Sequence, residues 1–204
     1  MANARMSRSQ RRKALLEAAA AVFSRKGFAN ARISDIAVEA GVGKGTVYEY
    51  FDSKEELFLE VFRHLDVEFQ RRLADRVAGA DSACGRLQAL FEAGAEFMEA
   101  QPELYAMTLD FWAAVREGEL REDFSRTFLE ALAGYRRLTE DILRRGQASG
   151  ELGSHFDPAS AALFIVATLD GLGFHHFLDR TLDLPESRRS FLDLLCTGLR
   201  GARS

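Results

Sequence analysis

The chain has 204 residues, of which 47% are hydrophobic and 28% are charged, and its formal net charge is −4. This composition excludes collagen-like, low-complexity and disulfide-scaffold proteins, and the presence of only three prolines favours helices over strands. Residues 1–54 have a net charge of +5 and the remainder −9. Such an asymmetry is typical of nucleic-acid binding, although charge alone leaves a solvated basic surface as the alternative.

The spacing of apolar residues predicts four helices in the first 77 residues. Helical periodicity predicts the first over 9–26, and Gly27 is its expected C-terminal cap. Two short helices follow at 33–40 and 44–51, and a long one at 54–77 begins at a capping box of Ser53 and Glu56. The apolar residues repeating in the first helix are Leu15, Leu16, Ala19, Val22 and Phe23.

Five more helices are predicted after residue 80, at 82–100, 102–116, 120–146, 159–178 and 187–200. No stretch shows the alternation of a strand, so we expect an all-α fold of about nine helices. The helix at 159–178 is apolar nearly all round but contains Asp170, His175 and His176. We therefore expect it to be buried in protein and not to span a membrane.

Residues 33–54 have the pattern of a helix-turn-helix. Ala37 is small enough for two helices to cross closely, and Gly41 tolerates the positive φ that the turn requires. The apolar residues that would hold the two helices together are Ile36, Ala40, Val42 and Val47.

The second helix of this motif carries side chains suited to reading DNA. Lys44 can reach phosphates or base edges, Gly45 lets the backbone approach closely, and the tyrosines offer rigid hydroxyl groups. Ser53 and Lys54 lie at a helix N-terminus, which favours phosphate. The residues predicted to contact DNA are Arg32, Ser34, Gly43, Lys44, Gly45, Thr46, Tyr48, Tyr50 and Lys54. An N-terminal arm with Arg5, Arg8, Arg11, Arg12 and Lys13 is expected to add backbone or minor-groove contacts.

The run ISDIAVEAGVGKGTVYEYFDSKEELF, from Ile33 to Phe58, resembles the N-terminal domain of the tetracycline-repressor (TetR/AcrR) family of bacterial transcription regulators. The resemblance covers residues 9–62. It implies a homodimer that binds a palindromic operator on double-stranded DNA and releases it when a small-molecule inducer enters the C-terminal domain. It also suggests a DNA-binding domain over 1–53 and a ligand-binding and dimerisation domain over 54–204.

Two residues of the motif depart from what the resemblance leads us to expect. Many family members have Ser at the position of Gly43. Glycine is an acceptable N-cap, but a hydroxyl contact to phosphate is lost. Glu49 is unusual beside phosphate, and we expect it to point aside or to read a cytosine amino group.

Aromatic residues in the rest of the chain predict a pocket for an apolar or aromatic ligand, with ordinary core packing as the alternative. The predicted pocket residues are Phe91, Phe97, Met98, Tyr105, Met107, Phe111, Trp112, Phe124, Phe128 and Phe164. The last two helices are expected to form a four-helix dimer interface, in which glycines allow close approach. Its predicted residues are Gly171, Gly173, Phe174, Phe177, Phe191 and Leu195.

The sequence predicts neither catalysis nor a cofactor. None of the common catalytic or nucleotide-binding motifs is found, and the adjacent His175 and His176 diverge by about 100° on a helix, so they cannot share a metal. The N-terminus lacks the apolar core of a secretory signal. We therefore expect a cytoplasmic protein in which Cys84 and Cys196 are reduced thiols, with a disulfide between them as the less favoured alternative. The alternative function is a helical small-molecule carrier without specific DNA binding.

Overall fold

The computed structural model describes residues 6–100, 108–109, 111, 113, 115, 117–179, 181 and 184–201. Within these ranges every regular element is a helix, which confirms the predicted all-α class. The helices are α1 (Arg8–Asn30), α2 (Ile33–Glu39), α3 (Lys44–Tyr48), α4 (Lys54–Ala78), α5 (Ala83–Ala100), α6 (Glu119–Ala148), α7 (Pro158–Leu178) and α8 (Leu184–Arg200). The predicted helix at 102–116 lies largely outside the described residues, although residues 108, 109, 111 and 113 are helical.

Local sequence signals explain where the first helices begin and end. The Ser7 hydroxyl accepts the Gln10 N–H at the start of α1, and Gly27, with φ +72°, kinks α1 where its end was predicted. Ser53 accepts the Glu56 N–H at the start of α4. The helix α3 ends three residues earlier than predicted, because the chain turns there to bury Phe51.

The chain forms two compact units, and neither is continuous in sequence. The first unit comprises Met1–Val67 and Gln101–Thr127, and the second comprises Glu68–Ala100 and Phe128–Ser204. Both α4 and α6 contribute residues to each unit. The predicted boundary between residues 53 and 54 concerns function, because it divides an expected DNA-binding domain from an expected ligand-binding and dimerisation domain. It remains a prediction.

Phenylalanine rings form the core of the first unit. Phe28 and Phe58 pack edge to face with their centroids 5.1 Å apart, and Phe58 stacks on Phe111 at 4.7 Å. Phe124 lies 4.4 Å from Phe111, and all four rings are almost completely buried. Aromatic pairs of this kind add stability beyond the area they bury. Phe111 and Phe124 therefore complete the aromatic core that Phe28 of α1 and Phe58 of α4 begin.

The second unit has its own apolar core, to which α5 contributes most and α4, α6, α7 and α8 contribute further residues. Leu87 and Leu143 are fully buried at its centre. Around them, Phe69 lies 4.5 Å from Phe97 and 5.5 Å from Tyr135, measured between ring centroids. This cluster brings together aromatic residues from α4, α5 and α6.

A disulfide between Cys84 in α5 and Cys196 in α8 corrects the prediction of two reduced thiols. The Cα atoms are 5.9 Å apart, within the range that a disulfide spans. The prediction was wrong because it used only the expected compartment, and the sequence does not reveal that α5 and α8 are neighbours.

Candidate nucleic-acid interface

The turn between α2 and α3 has the geometry of a helix-turn-helix. Gly41 has a φ of +66°, as predicted. Its N–H donates to the Val38 carbonyl at 3.1 Å, and the Val42 N–H donates to the Ala37 carbonyl at 2.9 Å. These bonds close the C-terminus of α2. On the following helix, Val47 is fully buried, so α3 is fixed to the unit by one face.

The opposite face of α3 is open. A Cβ atom added to Gly43 or Gly45 would meet no atom within 4 Å, and both glycines are exposed. Gly43 caps α3 in an extended conformation, without a side-chain hydrogen bond. Neither glycine is therefore required by packing within the chain, and at Gly45 a DNA backbone could approach the helix closely.

Polar side chains surround this open face. Lys44 and Tyr48 are exposed, whereas Thr46 and Tyr50 are half-buried. The Lys44 ammonium lies 5.7 Å from the centre of the Tyr48 ring. The Arg8 guanidinium lies 5.8 Å from the centre of the Tyr50 ring, so the start of α1 adjoins the segment that follows α3.

The basic residues of the first unit fall into two groups. Several form ion pairs, namely Arg12 with Glu60, Lys13 with Glu17, Arg25 with Glu39, Lys26 with Asp35, and Arg63 with Glu60. In the part of the chain that the structure describes, Arg8, Arg11, Arg32 and Lys44 have no carboxylate within ion-pairing distance. These four side chains can therefore neutralise an outside anion without giving up an ion pair of the protein.

The predicted N-terminal arm divides along the same line. Arg8 and Arg11 line a shallow depression together with Met6, Glu49 and Tyr50, whereas Arg12 and Lys13 bind carboxylates. Arg5 lies outside the described residues. The sequence offered no signal for this division, because it depends on which acidic side chains the fold brings near. Glu49 is exposed beside the two free arginines, and its predicted contact with cytosine remains untested.

Lys54 has partners within the protein. Its ammonium donates to the carbonyl oxygens of Phe28, at 2.9 Å, and Ala29, at 3.4 Å, and lies 4.4 Å from the centre of the Phe28 ring. Lys54 thus ties the start of α4 to the end of α1. Its predicted phosphate contact remains a prediction, for which a third ammonium hydrogen is available.

Arg32 and Ser34 are exposed at the start of α2, and Asp35 organises the backbone there. The Asp35 carboxylate accepts the Arg32 N–H at 3.1 Å and pairs with Lys26 at 2.9 Å. The hydrogen bond from Lys26 lowers the pKa of Asp35. Asp35 is therefore charged at neutral pH. It stabilises the N-terminal end of α2, where Arg32 and Ser34 are exposed.

The structure does not bring the predicted pocket residues together as one group. Phe111 and Phe124 are fully buried in the first unit, whereas Phe91, Phe97, Met98 and Phe128 belong to the second. Phe164 is 72% exposed on α7. Tyr105, Met107 and Trp112 lie outside the described residues, and lining of a ligand pocket by this set remains a prediction.

The predicted dimer residues lie on a surface with unusual apolar exposure. On α7, Phe174 is exposed, Gly171 and Phe177 are half-buried, and Gly173 is buried within its own chain. On α8, Phe191 and Leu195 are half-buried. The large apolar residues that are most exposed on these helices are Leu163, Phe164, Phe174, Leu178 and Leu194.

The helices α1, α2 and α3 follow one another, and α3, the second helix of the turn motif, carries the exposed Lys44 on an open face. This arrangement defines a helix-turn-helix DNA-binding protein. Residues 15–61 match the family model for bacterial regulatory proteins of the tetR family, and residues 83–198 match that for the C-terminal domain of BetI-type transcriptional repressors. The chain therefore belongs to the TetR family of transcription regulators.

Similarity to individual proteins extends over most of the chain. It is 27% identical to the fatty acid metabolism regulator protein of Bacillus subtilis, over 91% of this chain and 93% of that protein. It is 30% identical to the regulator BetI of Agrobacterium fabrum, with 82% and 77% covered. The crystal structure of the Bacillus subtilis regulator FadR with stearoyl-CoA has a TM-score of 0.75 at 26% identity, with 91% of this chain and 98% of that chain covered.

Proposed function

We propose that the protein is a homodimeric repressor that leaves a palindromic operator when an apolar small molecule binds its second unit. The observation that carries this proposal is the open face of α3 with its exposed Lys44, together with Arg8 and Arg11 beside Tyr50. Among the described residues, none of these three basic side chains has a carboxylate partner. The DNA backbone supplies closely spaced negative charge. Phosphate contacts would position α3 in a major groove, where Lys44, Thr46 and Tyr48 can reach base edges.

Two copies of α3 would read two half-sites one helical turn or more apart, so a palindromic operator mirrors the symmetry of the dimer. The exposed apolar stripe of α7 supports dimerisation, because a second chain would remove it from water. α7 is long and apolar enough to cross a membrane, and 22% of its most apolar stretch of 18 residues is buried within the chain. A second copy that covers this apolar surface would remove it from water without a membrane, and a regulator that binds chromosomal DNA would work in the cytoplasm.

The ligand proposed for this chain is an acyl thioester with a long apolar chain. Support comes from the similarity to a regulator whose crystal structure contains stearoyl-CoA. The contact proposed for the acyl chain is the aromatic group of Phe69, Phe97 and Tyr135, whose rings lie together in the second unit. An acyl thioester is a more specific proposal than the apolar or aromatic ligand that the sequence predicts.

Ligand binding would act on DNA through α4. This helix has 25 residues, which at 1.5 Å per residue makes it about 37 Å long. It contributes residues to both units, and direct contact between ligand and DNA is not needed. A ligand shifts the equilibrium only if it prefers the arrangement that binds DNA poorly.

The experiment is an operator titration with and without stearoyl-CoA, with free coenzyme A as the matched control. We expect stearoyl-CoA to weaken operator binding at least tenfold, which corresponds to about 1.4 kcal/mol of coupling. Coenzyme A alone should have little effect. By linkage, the operator must weaken stearoyl-CoA binding by the same factor. Equal ligand affinity for free and DNA-bound protein would contradict the proposal.

Salt separates this function from the alternative of a non-DNA-binding carrier. Operator affinity should fall steeply as salt rises, because phosphate contacts release counterions. A carrier would bind ligand but show no operator complex at any salt concentration. We infer no enzymatic role, since the relatives are transcription regulators.

Gly45→Ala tests the close approach of DNA to α3. Space around Gly45 is open, and alanine favours a helix over glycine by about 1 kcal/mol. We expect the variant to melt at the same or a higher temperature and yet to bind operator about tenfold more weakly. Unchanged operator affinity would show that DNA does not approach this backbone.

A further inference from the structure

We propose that Cys84 and Cys196 are a reversible thiol–disulfide pair whose oxidation clamps α8 to α5 and reduces the response to ligand. The cytoplasmic setting in this argument rests on the proposed function. Disulfides inside cells are usually transient and redox-sensing. A permanent structural role is therefore the less suitable explanation for a disulfide in a protein that works on chromosomal DNA.

The two cysteines lie close together, and neither is fully buried. Their Cα atoms are 5.9 Å apart, so the bond requires no separation of the helices. Both residues are half-buried, so neither is enclosed in the apolar core. Cys84 packs against the edge of the apolar core of the second unit.

The segment after α6 holds both helix ends that carry the cysteines. At the start of α5, the Glu151 carboxylate accepts the N–H of Ala83 at 2.7 Å and that of Cys84 at 3.2 Å. At the end of α8, the Gly153 N–H donates to the Leu199 carbonyl at 2.8 Å. The Nε2 atom of His155 lies 3.0 Å from the carbonyl oxygen of Gly198.

These contacts do not involve sulfur, so they persist when the disulfide is reduced. They keep the two thiols near each other despite a sequence separation of 112 residues. High effective concentration favours closure of the disulfide once one cysteine has reacted. The pair is thus arranged to open and close within one fold.

Glutathione disulfide is a suitable oxidant, and the reaction balances as an exchange. One cysteine thiolate attacks a sulfur of glutathione disulfide and releases a glutathione thiolate. The second cysteine thiolate then attacks the mixed disulfide and releases the second glutathione. Two electrons pass from the protein to glutathione, and the two thiol protons leave with the products.

Clamping would act on the helices that sense ligand and bind the partner subunit. α5 and α8 also touch through Phe91 and Phe191, with ring centroids 5.5 Å apart. α5 supplies Phe97 to the aromatic group of the second unit, and α8 bears the exposed Leu194. The closed disulfide restricts movement of α8 relative to α5. A ligand whose binding requires these helices to move should therefore bind less well to the oxidised form.

The test equilibrates the full-length protein in glutathione buffers from fully reduced to fully oxidised. Free thiols are counted and the melting temperature is measured at each ratio. We expect two thiols per chain to disappear together within this range. The oxidised form should melt about 5 °C or more above the reduced form, because the cross-link closes a long loop.

Operator release is then titrated with stearoyl-CoA in both redox states. The oxidised form should require about fivefold more ligand or more, a typical size of coupling. Cys84→Ala and Cys196→Ala are matched controls, and each should retain the ligand response of the reduced wild type under all conditions. Two positions are used so that a folding defect in one does not decide the result.

Three results would overturn the proposal: thiols that stay free in oxidised glutathione, a disulfide that persists in fully reduced glutathione, or identical melting in both states. Equal ligand requirements for release in the two states would overturn its regulatory part. If the reduced protein binds no operator, the proposed function fails. Thiol counts and melting temperatures would then still decide whether the pair is reversible.

Discussion

Two exposed surfaces of this chain differ in chemistry. In the part of the chain that the structure describes, the first unit presents Arg8, Arg11 and Lys44 near α3 without carboxylate partners, whereas the second exposes leucines and phenylalanines on α7 and α8. A charged surface binds a polyanion with an affinity that salt controls. An apolar surface associates with little dependence on salt. The two surfaces therefore suit a reversible contact with DNA and a lasting contact with a second copy.

Gly171→Arg should give the largest effect. An added Cβ at Gly171 meets nothing within 4 Å, so the chain itself can accommodate the change, whereas Gly173 is buried within its own chain. A charge on the α7 stripe should dissociate the dimer and weaken operator binding about 100-fold or more, because two linked half-site contacts become independent.

Sedimentation measures the oligomeric state, and circular dichroism checks the fold. The matched control, Gly171→Ala, should remain dimeric. A Gly171→Arg variant that is folded and still dimeric would place the interface elsewhere and remove the contrast between the two surfaces.

Lys44→Ala should come next. Loss of about 1 kcal/mol per subunit, counted twice in a dimer, weakens operator binding about 30-fold. The slope of log affinity against log salt should fall by about 2, and dimerisation should not change. Arg71→Ala on α4 removes the same charge from an exposed pair with Glu68, and it should leave operator binding nearly unchanged. Equal effects of the two variants would indicate that only net charge matters.

Lys54→Ala separates a fold contact from a DNA contact. Removing its two bonds to the carbonyls at the end of α1 should cost about 1–2 kcal/mol of stability and lower the melting temperature by several degrees. Tyr50→Phe should leave the melting temperature unchanged and weaken operator binding. If Lys54→Ala weakens operator binding but melts like the wild type, its role is in DNA contact and not in joining α4 to α1.

Glu60→Gln should have the smallest effect and a defined pH dependence. Burial tends to raise the pKa of Glu60, but hydrogen bonds from Arg63 and Arg12 outweigh burial and hold that pKa below its ordinary value of 4.5. The ion pairs thus contribute to stability above about pH 4.5 and lose their contribution as pH falls through the lowered pKa.

At pH 7 the wild type should exceed Glu60→Gln by at most about 1 kcal/mol in the free energy of unfolding. This difference should shrink on acidification below pH 4.5. Glu17→Gln, from an exposed pair with Lys13, is the control and should cost less. A difference that does not change with pH would mean that packing, and not charge, makes Glu60 important.

Local patterns in the sequence were sufficient for most of the fold. Helical spacing identified α1 and α4. Gly27 marked the expected end of α1 and Gly41 the turn between α2 and α3, and both adopt a positive φ. The helix-turn-helix follows from the same kind of signal. Such features depend on residues a few positions apart, which the sequence displays directly.

Features that depend on distant residues were not predictable in this way. The disulfide joins α5 to α8, and Lys54 finds its partners at the end of α1. Phe111 was predicted to line a ligand pocket because it is aromatic, but it packs against Phe58 in the first unit. The division of basic residues into paired and unpaired groups likewise appears only when the fold brings acids and bases together.

The phenylalanine core of the first unit has a consequence for how this DNA-binding module can be inherited and engineered. Phe58 packs on Phe111, and Phe111 on Phe124, so the chain must leave the ribosome as far as Phe124 before that core can close. A fusion that joins residues 1–53 to a foreign sensor would lack Phe58, Phe111 and Phe124 together. Exchange of sensors between regulators of this kind should therefore succeed only when these three phenylalanines are transferred with residues 1–53.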